Sequence, residues 1–197
     1  MSIYSTAATS AAWPVVDESE LIDWLGIESI DFTVFQMVGT IATQRLIDYL
    51  QLELVARTRV VTYNSLPVIG TAISNALSKQ DAAFNCILEL PYANLISIDS
   101  VLLDGDVVPS TQYSIVRGTT DFIAFNFLPV ITSELSITYT AGYGASASNV
   151  PEQLRQAATI TAAYLYEHRG ACMGGDVIRD SGAATLAASF RSKVVSL

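Results

Sequence analysis

Hydrophobic and polar positions divide the chain into a helical opening, a β-rich middle and a helical close. Leu21, Ile22, Trp24 and Leu25 make a short apolar segment within Asp17–Leu25, which Gly26 ends. Phe35, Val38, Ala42, Leu46 and Tyr49 then recur at spacings of three and four, with Thr33, Gln36, Thr40, Gln44, Asp48 and Gln51 on the polar side. That period predicts a long helix, capped by Asp31 and running to about Ala56. From Arg57 the period changes to two. Arg57–Tyr63, Ile87–Leu90, Ser97–Leu103, Gln112–Arg117, Phe122–Asn126 and Glu134–Thr140 read as strands, with a weak helical stretch at Ala72–Ala83. In the last strand Leu135, Ile137 and Tyr139 alternate with Ser136, Thr138 and Thr140, so one face is buried and the other polar. Asp104-Gly105, leading to Val107-Val108, suits a tight hairpin.

Helical spacing returns after Asn149-Val150. Pro151 is placed to be the first helical residue, and Leu154, Ala158, Thr161 and Leu165 form a packing stripe. Ala157, Ala162 and Ala163 keep that helix thin, and Gly170 ends it. A last short helix is expected around Ala183–Ser192, beyond Gly174-Gly175. The expected fold class is α+β, mainly a helical bundle with an inserted antiparallel β subdomain. The expected division of the single domain is 17–57 helical, 58–145 β-rich, 150–193 helical and 194–197 a tail.

Composition narrows the function classes. Of 197 residues, 51% are hydrophobic and 15% charged, which fits a chain with a substantial core. The formal net charge is −9, and no Lys or Arg precedes Arg45. Asp17, Glu18, Glu20, Asp23, Glu28 and Asp31 crowd the same base-free stretch. Tight binding to DNA or to an anionic membrane needs the opposite, clustered cations. The longest uncharged run, Val60–Ser78, contains Asn64, Pro67, Gly70 and Asn75 and is not a membrane span. The start of the chain lacks the basic and long apolar regions of a signal peptide, so a soluble, unexported protein is expected.

The candidate chemistry is thin. Gly142-Tyr143-Gly144-Ala145-Ser146-Ala147 satisfies a permissive GxGxxA after a strand. A dinucleotide fingerprint needs a helix to begin at those glycines, whereas Pro151 sets the helix start later. Cys86 and Cys172 lack the spacing of a zinc site, and both read as free thiols. A Cys172–His168 dyad, as in a small hydrolase, is the one enzyme alternative, but Gly170 separates the two residues. No metal or cofactor is expected. The aromatic strand residues Tyr113, Phe122, Phe125, Phe127, Tyr139 and Tyr143 have only Arg117 among them, so packing is a better reading than stacking on single-stranded nucleic acid.

Three stretches resemble the head–tail connector family of tailed phages: Ser136–Gly144 (SITYTAGYG), Val150–Ala157 (VPEQLRQA) and Tyr164–Gly170 (YLYEHRG). The motif residues are Tyr139, Gly142, Tyr143, Gly144, Pro151, Leu154, Arg155, Tyr166, Glu167 and Arg169. Upstream, Leu88–Tyr92, Ile96–Val101, Asp104-Gly105 and Gln112-Tyr113 are similar to the family's course as well, so the resemblance covers nearly the whole chain. It departs from the family where the usual proline before the last helix is absent. It also departs at Tyr92-Ala93-Asn94, which stands where a proline is common.

The resemblance implies a non-enzymatic virion protein of the neck, made in the host cytoplasm. It would form a ring, dodecameric in this family, beneath the portal protein. The ring would extend the DNA channel and give a platform to a stopper or tail-completion protein, with no membrane involved. In such a ring the acidic residues would line a face past which DNA slides without specific binding. The C-terminal residues Arg191, Lys193, Val194, Val195 and Leu197 read equally as an arm that docks on the portal or as a frayed terminus. Another neck or tail-completion protein, or a ring subunit of a phage-derived particle such as a gene transfer agent, is the structural alternative.

Overall fold

The computed structural model describes residues 4–8, 14–64, 86–92, 94–118, 121–127, 129–168 and 176–191. A short strand, β1 (Tyr4–Ala8), precedes helices α1 (Glu18–Leu25) and α2 (Phe32–Leu50). Strands β2 (Arg57–Tyr63), β3 (Cys86–Glu89), β4 (Leu95–Leu103), β5 (Asp106–Val107), β6 (Tyr113–Val116), β7 (Phe122–Phe125) and β8 (Leu135–Ala141) follow. Helices α3 (Glu152–Glu167), α4 (Val177–Asp180) and α5 (Ala183–Ala187) close the described chain, with a 3₁₀ turn over Ala188–Phe190. The fold is α+β. The weak helix expected at Ala72–Ala83 lies outside the described residues.

The two N-terminal helices begin where their caps dictate. The Asp17 carboxylate accepts from the Ser19 and Glu20 amides, and that of Asp31 from Thr33 and Val34. Each satisfies amides that a helix start leaves without partners. The segment before α1 is held on α2, where the Val15 amide donates to the buried Thr43 hydroxyl at 3.1 Å. Phe35, Val38, Ala42 and Leu46 are buried as the spacing predicts. They join Leu154, Ala158, Thr161 and Leu165 of α3, all buried, where α2 packs against α3. Ala183 and Ala187 of α5 complete this helical core.

α2 ends earlier than its periodicity predicts. Gln51 takes a left-handed conformation (φ 54°) and donates its amide to the Ile47 carbonyl. Beyond it Leu52, Leu54 and Val55 are still buried, which is why the apolar period appears to continue. Their backbone is instead drawn to another partner. The Leu54 carbonyl accepts from Tyr143, and the Ala56 amide donates to Gly144.

The strands form two antiparallel sheets, ordered β1-β2-β8-β4-β5 and β3-β7-β6. β2 and β8 pair from Arg57 opposite Ala141 to Tyr63 opposite Leu135. Leu135, Ile137, Tyr139 and Ala141 are all buried, as the alternation predicts. They share one apolar core with Val61 and Tyr63 of β2 and with Leu88, Ile123 and Phe125 of the smaller sheet. Asp104 (φ 53°) and Gly105 (φ 93°) turn β4 into β5 with two positive φ angles, the geometry of a tight hairpin.

Two further expectations need correction. The larger sheet is not built from the 58–145 segment alone, because β1 comes from the start of the chain and pairs with Arg59–Tyr63 of β2. Small and hydroxylated residues give β1 no hydrophobic alternation, so its pairing depends on the open edge of β2. Pro151 is the cap of α3 rather than its first helical residue, and its carbonyl accepts from Leu154 and Arg155. A proline at that place has no amide to leave unsatisfied.

Candidate functional site

The motif with the strongest family resemblance lies where the sheet hands the chain to the helices. Gly142 donates its amide to the Asn94 carbonyl at 2.9 Å, and Tyr143 donates to Leu54 at 3.0 Å. The Gly144 carbonyl accepts from Ala56 at 2.7 Å. The chain leaving β8 is therefore laced to the segment between α2 and β2. A Cβ on Gly142 (φ 138°) would stand 2.5 Å from the Ala56 nitrogen, and one on Gly144 would stand 2.6 Å from the Asn149 side chain. Both positions need glycine because another part of the chain occupies the space. Ser146 and Asn149 then close a capping box around a 3₁₀ turn, and α3 starts only at Glu152. No helix begins at the glycines to meet a pyrophosphate. Their chemistry is that of a joint.

The residues after the joint tie α3 to its neighbours. Val150 and Leu154 are buried. Arg155 pairs with Glu152 on its own helix and reaches Glu20 of α1 at 3.8 Å. Donation of a hydrogen bond to the Glu152 carboxylate raises the Arg155 pKa further, and the charges of Glu20 and Asp17 add to the effect. Asp17 is held below the usual carboxylate range, chiefly by the Ser19 hydroxyl. At the far end of α3, Tyr166 is half-buried and Glu167 exposed. His168 stacks on Tyr164 with ring centroids 4.1 Å apart, and its Nδ1 lies 2.8 Å from the Tyr164 carbonyl oxygen. Arg169, Gly170 and Cys172 lie outside the described residues. Burial pushes the Cys86 thiol up to about 11, which keeps it in the unreactive thiol form at neutral pH. Among the described residues no group of three His, Cys, Asp or Glu side chains could hold a metal ion. None of the described helices is long and apolar enough to cross a membrane.

A buried ionic cluster stands beside the joint and was not expected. The Glu53 carboxylate, 1% exposed, accepts from Arg57 Nη2 at 2.6 Å and also from Arg59 Nε. The Arg59 guanidinium lies 3.4 Å from the centre of the Tyr92 ring, a cation–π contact in a desolvated setting. Tyr139, opposite Arg59 in the β2–β8 ladder, donates its hydroxyl to the neighbouring Pro91 carbonyl. The strand period held a signal for this cluster. Arg57 and Arg59 share the face that carries Val61 and Tyr63, so two arginines point inward and need an acid.

The acidic run divides by geometry. Asp17 and Asp31 are caps, and Glu20 meets Arg155, whereas Asp23 and Glu28 are exposed and Glu18 is half-exposed. Of the expected docking arm, Arg191 is exposed and its guanidinium lies 5.0 Å from the Tyr49 ring centre. Lys193, Val194, Val195 and Leu197 lie outside the described residues. The structure does not bring the acidic run and Arg191 into a single site.

No protein-family model matches the chain, and neither does any curated protein. Solved structures do. A chain in the neck of an empty GTA (gene transfer agent) particle, computed with C6 symmetry, superposes with a TM-score of 0.71 at 20% identity, with 98% of each chain covered. A chain from the neck of the native particle, computed with C12 symmetry, gives 0.70 at 21% identity over the same shares. A chain from the virion of the native particle gives 0.69 at 19%, again with 98% of each covered. From β1 to the last helical turn, the protein has the fold of chains found in gene transfer agent particles, two of them from the neck.

Proposed function

We propose that this chain is a structural subunit of the neck of a phage-like particle, a head–tail connector that acts as one copy in a ring. The observation that carries the reading is the end-to-end likeness of fold to chains from particle necks. The sequence resemblance to connector proteins, centred on Tyr139–Gly170, supports it independently. The symmetry of those necks supports a cyclic assembly, which needs two unlike faces on every subunit. The helices act as a bundle that carries the β part. The role is structural rather than enzymatic: the Gly142–Gly144 motif serves as a joint, and His168 is engaged with Tyr164.

In this reading the ring sits beneath a portal protein and receives a stopper or tail-completion protein on its other side. The exposed acids would keep the channel wall from holding DNA, since like charge repels phosphate. The test is to make particles without this chain. DNA-filled heads without tails should accumulate, and antibody to the chain should mark the neck of complete particles. Normal tailed particles, or label confined to the head shell or tail tip, would overturn the proposal.

A further inference from the structure

Among the described residues the exposed large apolar side chains fall into two groups. Trp24, Phe32, Met37 and Ile41 belong to the helical part, whereas Ile96, Val107, Ile115 and Val130 belong to the strands and their connections. α2 gives the first group its order. Thr33, Met37, Ile41 and Arg45 follow one another at steps of four and are all exposed, away from the buried Phe35–Leu46 stripe. Met37 and Ile41 are 51% and 40% exposed, with half-buried Val34 beside them, so two successive turns of the helix turn apolar side chains outward. Further along the same face the pattern becomes Gln44, Arg45 and Asp48. An amphipathic helix in a lone protein would carry polar residues across that whole face.

We propose that this α2 face seats a second copy of the chain, which presents its strand-side patch around Ile96 and Arg117. The inference rests on the ring reading and specifies its interface. Two α2 faces meeting each other would close a pair, while a ring requires each face to meet an unlike one. The strand side provides the unlike face. Ile96 is 44% exposed, and the exposed Arg117 lies against it, donating to the Leu95 carbonyl at 2.6 Å and to the Ile96 carbonyl at 3.4 Å. Ile115 is exposed two residues before Arg117. Each patch thus has an apolar centre with both signs of charge at its rim: Glu28 and Asp31 lead into α2 and Arg45 ends its exposed face, while Arg117 stands beside Ile96 and exposed Asp99 lies three residues further along β4. Pairing of opposite rim charges selects the partner and register, and the apolar centre supplies the affinity.

A photoreactive benzoylphenylalanine in place of Ile41 tests the contact in assembled rings or particle necks. Irradiation should join two copies of the chain, with the adduct on a peptide that includes Ile96–Arg117. An adduct to a different protein, to α2 of the second copy, or no adduct at all in an assembled ring would overturn the inference. A Met37→Glu/Ile41→Glu variant provides a second arm. Its circular dichroism and melting should match the parent chain while ring species are lost; rings at the parent's level would again overturn it. If the parent chain neither forms rings nor enters necks, the connector reading itself fails. Rings that form without contact at position 41 defeat only this interface.

Discussion

Arg59 stands directly opposite Tyr139 in the β2–β8 ladder, and both side chains reach the same short turn. One covers the ring of Tyr92 and the other donates to the carbonyl of Pro91. Tyr92 has a positive φ of 55°, a conformation that bulky residues rarely adopt. The turn is therefore fixed by contacts from the larger sheet. Tyr63 adds a parallel tie, its hydroxyl donating to the Glu89 carbonyl at 2.5 Å.

Tyr139→Phe removes one donor and leaves the buried Pro91 carbonyl without it. A loss of about 1–2 kcal/mol in unfolding free energy is expected. Tyr63→Phe should cost less, because its hydrogen bond is only partly buried. Urea denaturation of the two variants beside the parent checks both the size and the order.

Glu53 balances two buried arginines, so Glu53→Gln should cost about 3–5 kcal/mol by leaving buried positive charge uncompensated. Arg155→Ala breaks its pairs with Glu152 and Glu20, whose side chains are 55% and 41% exposed, and solvent screening should hold the cost of the lost pairs under about 1 kcal/mol. Thermal melts at low and high salt separate the cases. The Arg155 effect should shrink with salt, while the Glu53 effect should persist.

Gly142→Ala places a methyl group against the backbone of Val55 and Ala56 in a conformation that disfavours a side chain. The cost should be on the order of 3 kcal/mol or more. Gly105→Ala has nothing within 4 Å of the new atom and should cost only about 1 kcal/mol, from its φ alone. Comparing soluble yield and melting temperature of the two variants checks whether close approach or φ dominates.

These features differ in how far the sequence revealed them. The 135–141 strand, the Asp31 cap and the Asp104-Gly105 hairpin each rest on local chemistry, which a sequence displays directly. β1 could not be read that way, since its strand character comes from the edge of β2, some fifty residues away. α2 was overextended because Leu52, Leu54 and Val55 continue an apolar pattern, although their backbone pairs with the Gly142–Gly144 joint. Arg57 and Arg59 were missed as core residues because charge suggests solvent, and only the strand period places them inward. The α2 face with Met37 and Ile41 becomes visible once burial shows which side α3 has already covered.

Asp104 gives a pH prediction. Its carboxylate accepts from the Thr132 hydroxyl and from the amides of Thr132, Ser133 and Glu134, which holds its pKa at about 2 against an ordinary 3.8. A lowered folded-state value means the group favours the folded form fully above about pH 3.8, and that contribution is lost as pH falls through about 2. Amide exchange at residues 132–134 should be slow at pH 4 and lose protection toward pH 2, after correction for intrinsic rates. In Asp104→Asn that acid dependence should disappear.

The acidic run makes two separable predictions because its members do different work. Asp17→Ala and Asp31→Ala each remove a helix cap and should each cost about 1 kcal/mol. Glu18→Gln, Asp23→Asn and Glu28→Gln together touch no cap and should leave the unfolding free energy within about 0.5 kcal/mol of the parent's. If these three residues line a channel, particles carrying the triple variant should release DNA more slowly, since neutralising the wall weakens its repulsion of phosphate. Release rates can be followed by dye entry into opened particles. A triple variant that melts like the parent and releases DNA at the parent's rate would confine the acidic run to capping and solvation.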